Sequence, residues 1–419
     1  MDTSRTPILL TTAAAVAGLW WWKSRRTTTQ PRPWNDTETA LPLLSFERGY
    51  FVNDASPINT LTWFRGNPDQ AYAFLEKRLQ RILAHNPWLA GRLEDHQKQA
   101  YLVYNAEPKS LPIQRVHDNS FRRGMPLTDQ PAATRPWRLT TNLGAVPVFR
   151  VTLVSNPADP DRFAVIVSLS HAVGDGHTYY ILLRMLFSED PVTDLIVDRI
   201  DTTEAQQRAA MGPDFDIQSS LGFVGVILWG EFQRKVLGRV NQPVFQLLDT
   251  DKVKELKKES LTPDVEFVST NDVLTSWYFT RYPIEHGFMV FNCRGRLEGH
   301  TDHHAGNYHH MLYYHRRDFE RPSLIRQSLT TLRRVVTSHT PWVRGTVGIA
   351  TNWSGFAQAN EIPGCQEDLH IPVDADTLPT TFEILCLFRA GPGRTGVFVS
   401  GACTQNAEVR KAPFVRELQ

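Results

Sequence analysis

The amino-acid sequence predicts an α/β fold of two or three domains. The chain has 419 residues, enough to bury a large core. Phe163 to Leu169 is an almost unbroken apolar run rich in β-branched residues, which is the pattern of a strand buried on both faces. Asp69 to His85 carries apolar residues at helical spacing directly after Asn67-Pro68, a typical helix start. Both element types therefore contribute to the predicted core.

The other predicted elements continue this mixture along the chain. From 190 to about 250 the pattern breaks into charged and proline-containing sequence, which predicts a crossover between domains. Within it, Gly222 to Gly230 is apolar, and we expect either a packed helix or a contact with a membrane surface. Further strands are predicted at 101–104, 146–154, 287–293, 346–350, 382–389 and 395–402, and further helices at 178–187, 269–277 and 321–339.

The composition excludes some classes of partner. Lysine and arginine total 45 against 44 acidic residues, so the charge balance gives no reason to expect nucleic acid. The four cysteines, Cys293, Cys365, Cys386 and Cys403, show no metal-type pairing, and we interpret them as reduced thiols in a reducing compartment.

The N-terminal segment is expected to contact a membrane. Ile8 to Trp22 is an apolar run that ends in three tryptophans and is followed by basic residues. At about 1.5 Å per residue it rises about 22 Å, short of a hydrocarbon core of roughly 30 Å unless the bilayer thins. We expect a single-pass anchor, with the body of the protein facing the cytosol on the endoplasmic reticulum or another endomembrane. A cleaved signal, an organelle-targeting peptide or a loose tail are the alternatives.

The predicted strand at 163–169 ends at the most chemically suggestive residues of the chain. His171 follows it, and Asp175 comes four residues later between Gly174 and Gly176. An imidazole at the end of a buried strand, beside a carboxylate and flexible glycines, suits a general base. A structural His–Asp pair is the alternative interpretation.

The sequence from His171 to Gly176 matches the H-x-x-x-D-G motif and resembles the coenzyme-A-dependent acyltransferase superfamily. That superfamily includes chloramphenicol acetyltransferase, the plant BAHD acyltransferases and condensation domains. Four further segments resemble BAHD elements in the same order: 87–93, 269–277, 294–307 and 351–353. The resemblance implies two similar chloramphenicol acetyltransferase-like domains, each a mixed sheet with flanking helices, joined by a crossover segment.

The resemblance also implies roles for individual residues. His171 is expected to be the general base, reached through a tunnel between the two domains. Asp175 is expected to be structural, paired with Arg294 or, as second choice, with Arg296. Gly176 and Asn307 are expected to support this turn, and Thr351 and Trp353 to donate hydrogen bonds to the oxyanion or to orient the acceptor.

The sequence departs from the BAHD pattern at one motif. The family's D-F-G-W-G falls on Ile362 to Gln366, where only the glycine is kept, and this leaves coenzyme A binding at that loop in doubt. Lys254, Lys257 and Lys258 are expected either to meet coenzyme A phosphates or to form a solvated helix face. Six histidines between 300 and 315 are dense enough to suggest a metal, but their spacing and the resemblance favour none.

We therefore expect an enzyme that moves an acyl group other than an aminoacyl group from acyl-coenzyme A to a hydroxyl or amine. A hydrophobic secondary-metabolite or lipid alcohol is the expected acceptor, with no bound cofactor and a monomeric protein. The expected organisation is an anchor and linker at 1–40, an N-terminal domain at 41–200, a crossover at 201–250 and a C-terminal domain at 251–419. The alternatives are a non-catalytic, membrane-tethered binding protein for acyl-coenzyme A or lipid, and a condensation-type enzyme.

Overall fold

A computed structural model describes residues 34–52, 57–108, 110–141, 146–239, 241–337, 342–374, 378, 380–401 and 411–418. The strands are β1 (Glu38–Pro42), β2 (Ile58–Arg65), β3 (Arg92–His96), β4 (Gln99–Asn105), β5 (Gln114–His117), β6 (Phe149–Asn156), β7 (Asp159–Leu169), β8 (Gln242–Leu248), β9 (His286–Asn292), β10 (His309–His315), β11 (Val347–Asn352), β12 (Gln366–Pro372), β13 (Phe382–Gly391), β14 (Arg394–Gly401) and β15 (Val415–Glu417). The α-helices are α1 (Ser45–Val52), α2 (Pro68–His85), α3 (Gln130–Thr134), α4 (Gly176–Leu186), α5 (Thr203–Met211), α6 (Leu221–Lys235), α7 (Thr250–Glu259), α8 (Thr270–Arg281) and α9 (Pro322–Thr331).

These strands form two large sheets and a small one. The first large sheet has the order β12-β2-β7-β6-β5, the second has the order β10-β9-β11-β13-β14-β8-β15, and the small sheet is β1-β4-β3. Both large sheets are mixed, since β5 runs parallel to β6, and β11 runs parallel to β9 and β13, among antiparallel neighbours. Helices α2 and α8 pack on the first and second sheets. The predicted α/β class with mixed sheets and flanking helices is confirmed.

Strand β7 is buried on both faces, as its apolar run predicts. Phe163, Val165 and Val167 pack with helix residues of the first half of the chain. Ala164 and Ile166 point the other way, into a core shared with residues of the second sheet such as Phe288. The strand that leads to His171 is therefore held between two packed layers.

Helix α2 owes its start and its position to local sequence. The Asn67 side chain accepts hydrogen bonds from the backbone of Asp69 and Gln70, and Pro68 occupies the first turn. Its apolar face is buried against the first sheet through Ala71, Leu75, Leu79, Ile82 and Leu83. The cap and the apolar stripe are the features from which the sequence predicts this helix.

Two strands pair with strands that are distant from them in the sequence. Strand β12 follows β11 in sequence but leaves the second sheet and pairs with β2, so that Gln366 lies opposite Arg65. Strand β8 lies in the expected crossover and pairs with β14 in the second sheet. The domain boundaries proposed from the sequence stay a prediction, because the sheets do not divide the chain at a single point.

The helix predicted at 321–339 is shorter than expected. It ends at Thr331, and Leu332 takes a left-handed conformation with φ 54°. Beyond it, the Asp318 carboxylate accepts hydrogen bonds from the backbone of Val336 and Thr337. These bonds to a distant carboxylate replace the helical ones, so the prediction for the last turns is wrong.

The expectation of a membrane anchor requires correction. The apolar run from Ile8 to Trp22 lies outside the described residues. Across the part of the chain that the structure describes, no helix combines the length and the apolar character needed to cross a bilayer. Helix α6, which contains the apolar residues 222–230, is 15 residues long. No described helix therefore supports the predicted transmembrane helix or the membrane-anchored location, and both predictions are withdrawn.

A buried ion pair joins β12 to the second sheet and gives a test of this arrangement. Both carboxylate oxygens of Glu367 on β12 accept hydrogen bonds from Arg389 on β13, each at 2.6 Å. Glu367→Ala leaves the guanidinium buried without its counter-charge and should lower the free energy of unfolding by about 3–5 kcal/mol. Urea unfolding measures the change.

The control is the double variant Glu367→Leu with Arg389→Leu. It removes both charges and should lose clearly less stability than the single variant. A loss below about 1 kcal/mol in Glu367→Ala would contradict the role given to this pair.

Candidate active site

His171 lies where β7 gives way to a turn. Leu169 is the last residue of the strand, Ser170 donates its backbone N–H to Val148, and Val173 donates its own to Ser170. Helix α4 begins five residues after His171, at Gly176. His171 is half-buried, while Ala172, Val173 and Asp175 are buried. The turn thus presents one polar side chain from an otherwise buried backbone.

Asp175 has two structural tasks. One carboxylate oxygen, Oδ1, accepts from the backbone N–H and the hydroxyl of Thr178 and so caps helix α4. The other, Oδ2, accepts from Arg294 at 2.7 Å and from the backbone N–H of Tyr308 at 3.0 Å. Burial opposes ionisation of this carboxyl, but Arg294 and then His309 outweigh it and hold the pKa of Asp175 well below its usual range. Asp175 is therefore a buried carboxylate that does not contact the His171 ring through a hydrogen bond.

Arg294 ties the motif turn to the second half of the chain. Its side chain is buried, and besides Asp175 it donates to the Thr178 hydroxyl and to the carbonyls of His304 and Gly306. Of the two arginines considered from the sequence, Arg294 makes the contact with Asp175. Arg296 instead donates to the carbonyl of Leu329 near the surface.

The segment from Gly306 to Tyr308 docks directly on the motif turn. Asp175 donates its backbone N–H to the Gly306 carbonyl at 3.3 Å. Gly306 has φ 143°, and a Cβ there would come within 3.0 Å of the Tyr308 ring and 3.3 Å of Arg199. Glycine is therefore favoured at this position, because φ is positive and a side chain would crowd Tyr308 and Arg199.

Asn307 links this segment to the imidazole. It is fully buried. Its Oδ1 lies 3.1 Å from Nδ1 of His171, and its amide nitrogen donates to the His171 carbonyl oxygen at 2.8 Å. Because the amide nitrogen faces a carbonyl, Oδ1 is the atom that faces the ring, and the hydrogen-bond network assigns the proton to Nδ1. The lone pair of neutral His171 is then on Nε2.

The electrostatics keep His171 neutral. Burial lowers its pKa to about 4, and His309 adds to the effect, while the carbonyl of His171 itself, Asp175 and Asn307 act in the opposite direction. An imidazole with such a pKa is an unprotonated base at neutral pH.

Trp353 lies beside the start of helix α4. A Cβ on Gly176 would lie 3.2 Å from the indole Nε1 of Trp353, so the indole packs on the glycine backbone. Trp353 follows the end of β11, and its backbone N–H donates to Leu387. Thr351 lies two residues earlier on β11, opposite Cys386. The structure therefore brings Trp353 to the motif turn, and Thr351 is on the strand that leads to it.

Two groups at the site have no counterpart in the sequence-based predictions. His309 lies two residues after Asn307, with its ring centre 5.9 Å from that of His171 and its Nδ1 3.8 Å from Asp175. The signal that could have found it is its place in the sequence, two residues after Asn307 in a histidine-rich segment. Glu47 on α1 accepts from Asn307, and no local pattern around it indicates this.

The other predicted site residues lie elsewhere. Lys254 pairs with Asp251 on the exposed face of α7, and Lys257 lies over the Phe267 ring. The 362–366 loop forms part of the wall of a cleft of about 540 Å³ that Arg184 and Asp190 also line. Within the described ranges there is no group of three or more histidine, cysteine or acidic residues that could hold a metal ion.

Comparison of the whole chain with solved structures identifies its fold. The first condensation domain of the calcium-dependent antibiotic synthetase matches with a TM-score of 0.60 and 13% identity, over 89% of this chain and 94% of that chain. TRI101 of F. graminearum, complexed with ethyl coenzyme A, matches with a TM-score of 0.57 and 13% identity, over 90% and 99%. Vinorine synthase matches with a TM-score of 0.56 and 12% identity, over 91% and 94%.

The chain has the two-domain, chloramphenicol acetyltransferase-like α/β fold of these proteins. No family model and no curated protein sequence matches it. The resemblance inferred from the motifs is thus confirmed at the level of the fold. At these identities the similarity is evidence for the fold alone and not for an activity or a substrate.

The ion pair at the motif turn can be tested without removing the helix cap. Asp175→Asn keeps an oxygen that can cap α4 but leaves Arg294 buried without its counter-charge, so the free energy of unfolding should fall by about 3–5 kcal/mol. Because the pKa of Asp175 is lowered by folding, the unfolded carboxyl is protonated first as the pH falls below about 3.8. The difference between the two proteins should therefore shrink in that range.

Denaturant unfolding at several pH values measures both effects. Asp159→Asn, which removes the partner of Arg162 at the surface, is the control and should change stability by less than about 1 kcal/mol. An equally small change in Asp175→Asn would contradict the importance of the buried pair.

The influence of His309 on His171 is also measurable. Burial is the larger cause of the lowered pKa of His171 and is kept in His309→Gln, but the variant removes a neighbour that disfavours a charge on the ring, so this pKa should rise above about 4. Titration of the histidine ring signals by NMR detects the shift. His303→Gln in the exposed loop is the matched control and should leave the His171 titration unchanged. A His171 pKa unaffected by His309→Gln would contradict this account.

Proposed function

We propose that this protein is an acyltransferase that moves an acyl group from acyl-coenzyme A to a hydroxyl or amine, with His171 as the general base. One observation carries the proposal. A neutral imidazole with its proton on Nδ1 and its lone pair on Nε2 stands at the end of a buried strand, beside an ionised Asp175 that Arg294 already neutralises. His171 can therefore accept a proton on Nε2, and the nearby carboxylate of Asp175 is already paired with Arg294.

The proposed chemistry is one direct transfer. Nε2 of His171 accepts the proton of the acceptor O–H or N–H while the acceptor atom attacks the thioester carbonyl carbon. The resulting tetrahedral oxyanion collapses, the carbon–sulfur bond breaks, and the departing thiolate takes the proton from His171. No covalent acyl-enzyme forms, and the base returns to its starting state.

The oxyanion requires a donor near His171. The indole N–H of Trp353, which packs on Gly176, and the hydroxyl of Thr351 are the proposed donors. The aromatic surroundings of this turn, with Tyr180 next to Trp353 and Phe356 next to His177, favour an apolar acceptor such as a hydrophobic alcohol.

The comparisons support acyl-coenzyme A as the donor. The matched structure of TRI101 contains ethyl coenzyme A. We propose the same class of donor for this chain, with the lysines of α7, Lys254, Lys257 and Lys258, as candidate contacts for its phosphates. No bound cofactor is part of the proposal.

Replacement of the base is the direct test. His171→Ala should lower acyl transfer by at least about 10²–10³-fold, because no other group takes the acceptor proton. Release of coenzyme A thiol from a panel of acyl-coenzyme A donors, with a panel of alcohols and amines, measures transfer, and mass spectrometry identifies the product.

His303→Ala, in the exposed loop, should keep the wild-type rate. Binding of coenzyme A to His171→Ala should also stay close to wild type, since the fold and the donor site remain. Near-native turnover in His171→Ala would exclude the mechanism, and a wild-type protein that binds acyl-coenzyme A but never releases thiol would indicate a binding protein.

A further inference from the structure

A second buried ion pair lies behind the candidate base. Glu47 on α1 is fully buried, and its Oε2 accepts from Arg199 at 2.8 Å. The Arg199 guanidinium also donates to the carbonyl of Val173, inside the motif turn, and to that of Ala305. This pair therefore contacts both segments that meet at His171.

Every partner of Glu47 is a donor. Oε2 also accepts from the backbone N–H of Leu44 at 3.0 Å. Oε1 accepts from the backbone N–H of Asn307 at 2.9 Å and from its side-chain nitrogen at 3.2 Å. This is the pattern of a carboxylate, whose oxygens only accept.

The amide of Asn307 is fully used in one orientation only. Its two N–H groups point to Glu47 and to the carbonyl of His171, which leaves Oδ1 for Nδ1 of the imidazole. In the flipped orientation, Oδ1 would face a carboxylate oxygen and a carbonyl oxygen, both of which repel it. The negative charge of Glu47 and the carbonyl of His171 thus together select the direction of the amide.

We infer that Glu47 is a positioning residue that, through Asn307, fixes the His171 tautomer with the proton on Nδ1 and the lone pair on Nε2. The inference rests on the proposed function for its consequence, since only that tautomer presents Nε2 to an acceptor. The link itself is a property of the protein without substrate.

The test reads the tautomer directly. NMR spectra of protein labelled with ¹⁵N at histidine, recorded at neutral pH, distinguish a protonated ring nitrogen from an unprotonated one, and the His171 signals are assigned by their loss in His171→Ala. Wild type should show a proton on Nδ1. Glu47→Gln keeps the shape but removes the charge, and it should give a mixture of tautomers.

The same variant should lower kcat by about 10- to 100-fold, as is typical when a group that orients a functional imidazole is lost. KM for the acyl donor should stay within about twofold, because Glu47 contacts no part of the proposed donor site; a merely structural defect would not separate the two constants in this way.

Glu367→Gln is the matched control, because it also removes a buried carboxylate paired with an arginine but lies away from His171. It should lose stability without changing the His171 tautomer. If Glu47→Gln does not fold, Asn307→Ala tests the same link with the Glu47–Arg199 pair left in place, and it should give the same mixture.

A wild-type protein with the proton on Nε2 would overturn the inference without any variant. So would a variant, Glu47→Gln or Asn307→Ala, that keeps the wild-type tautomer. If the tautomer depends on Glu47 but wild type releases no thiol from any acyl-coenzyme A, the proposed function fails while the link stands.

Discussion

The carboxylate of Asp175 and the guanidinium of Arg294 meet at 2.7 Å with neither side chain open to solvent. Removing two charges from water is unfavourable unless further hydrogen bonds satisfy them, and here the remaining atoms find Thr178, His304, Gly306 and Tyr308. Each of these partners lies either at the start of α4 or on the segment before β10. The pair therefore determines how the turn after β7 packs against the second half of the chain, and this packing positions His171.

Asp175 and Asn307, which lie on either side of the base, have different partners and so different roles. Asp175 is saturated by donors and cannot share a proton with His171. Neutral Asn307, rather than a carboxylate, contacts Nδ1 of the imidazole. A carboxylate in that position would raise the pKa of His171, whereas an amide can fix the ring and leave it neutral. Asn307 thus orients the imidazole without favouring its protonated form.

Local sequence predicts much of this architecture and distant contacts explain the rest. The apolar run of β7 and the Asn67-Pro68 start of α2 are consequences of nearby residues. The H-x-x-x-D-G motif together with the ordered segments 87–93, 269–277, 294–307 and 351–353 predicts the fold. Glu47 was not predictable, because its role comes from packing against a segment 260 residues away. The early end of α9 also comes from a distant contact. The Asp318 carboxylate accepts hydrogen bonds from backbone N–H groups that the local sequence would have left helical. The membrane prediction rested on the pattern of residues 8–22, which lie outside the described part of the chain.

The strand exchange at β12 has a consequence for how this protein reaches its native state. Strand β2 is apolar along nearly its whole length, and its free side in the first sheet is covered only when residues 366–372 arrive. Until then the first half of the chain carries an unpaired, hydrophobic strand edge, which invites association with other chains. Pairing residues so far apart in sequence also makes folding slow, because a large loop must close first. A nascent or truncated chain that lacks β12 is consequently the aggregation-prone form of this protein.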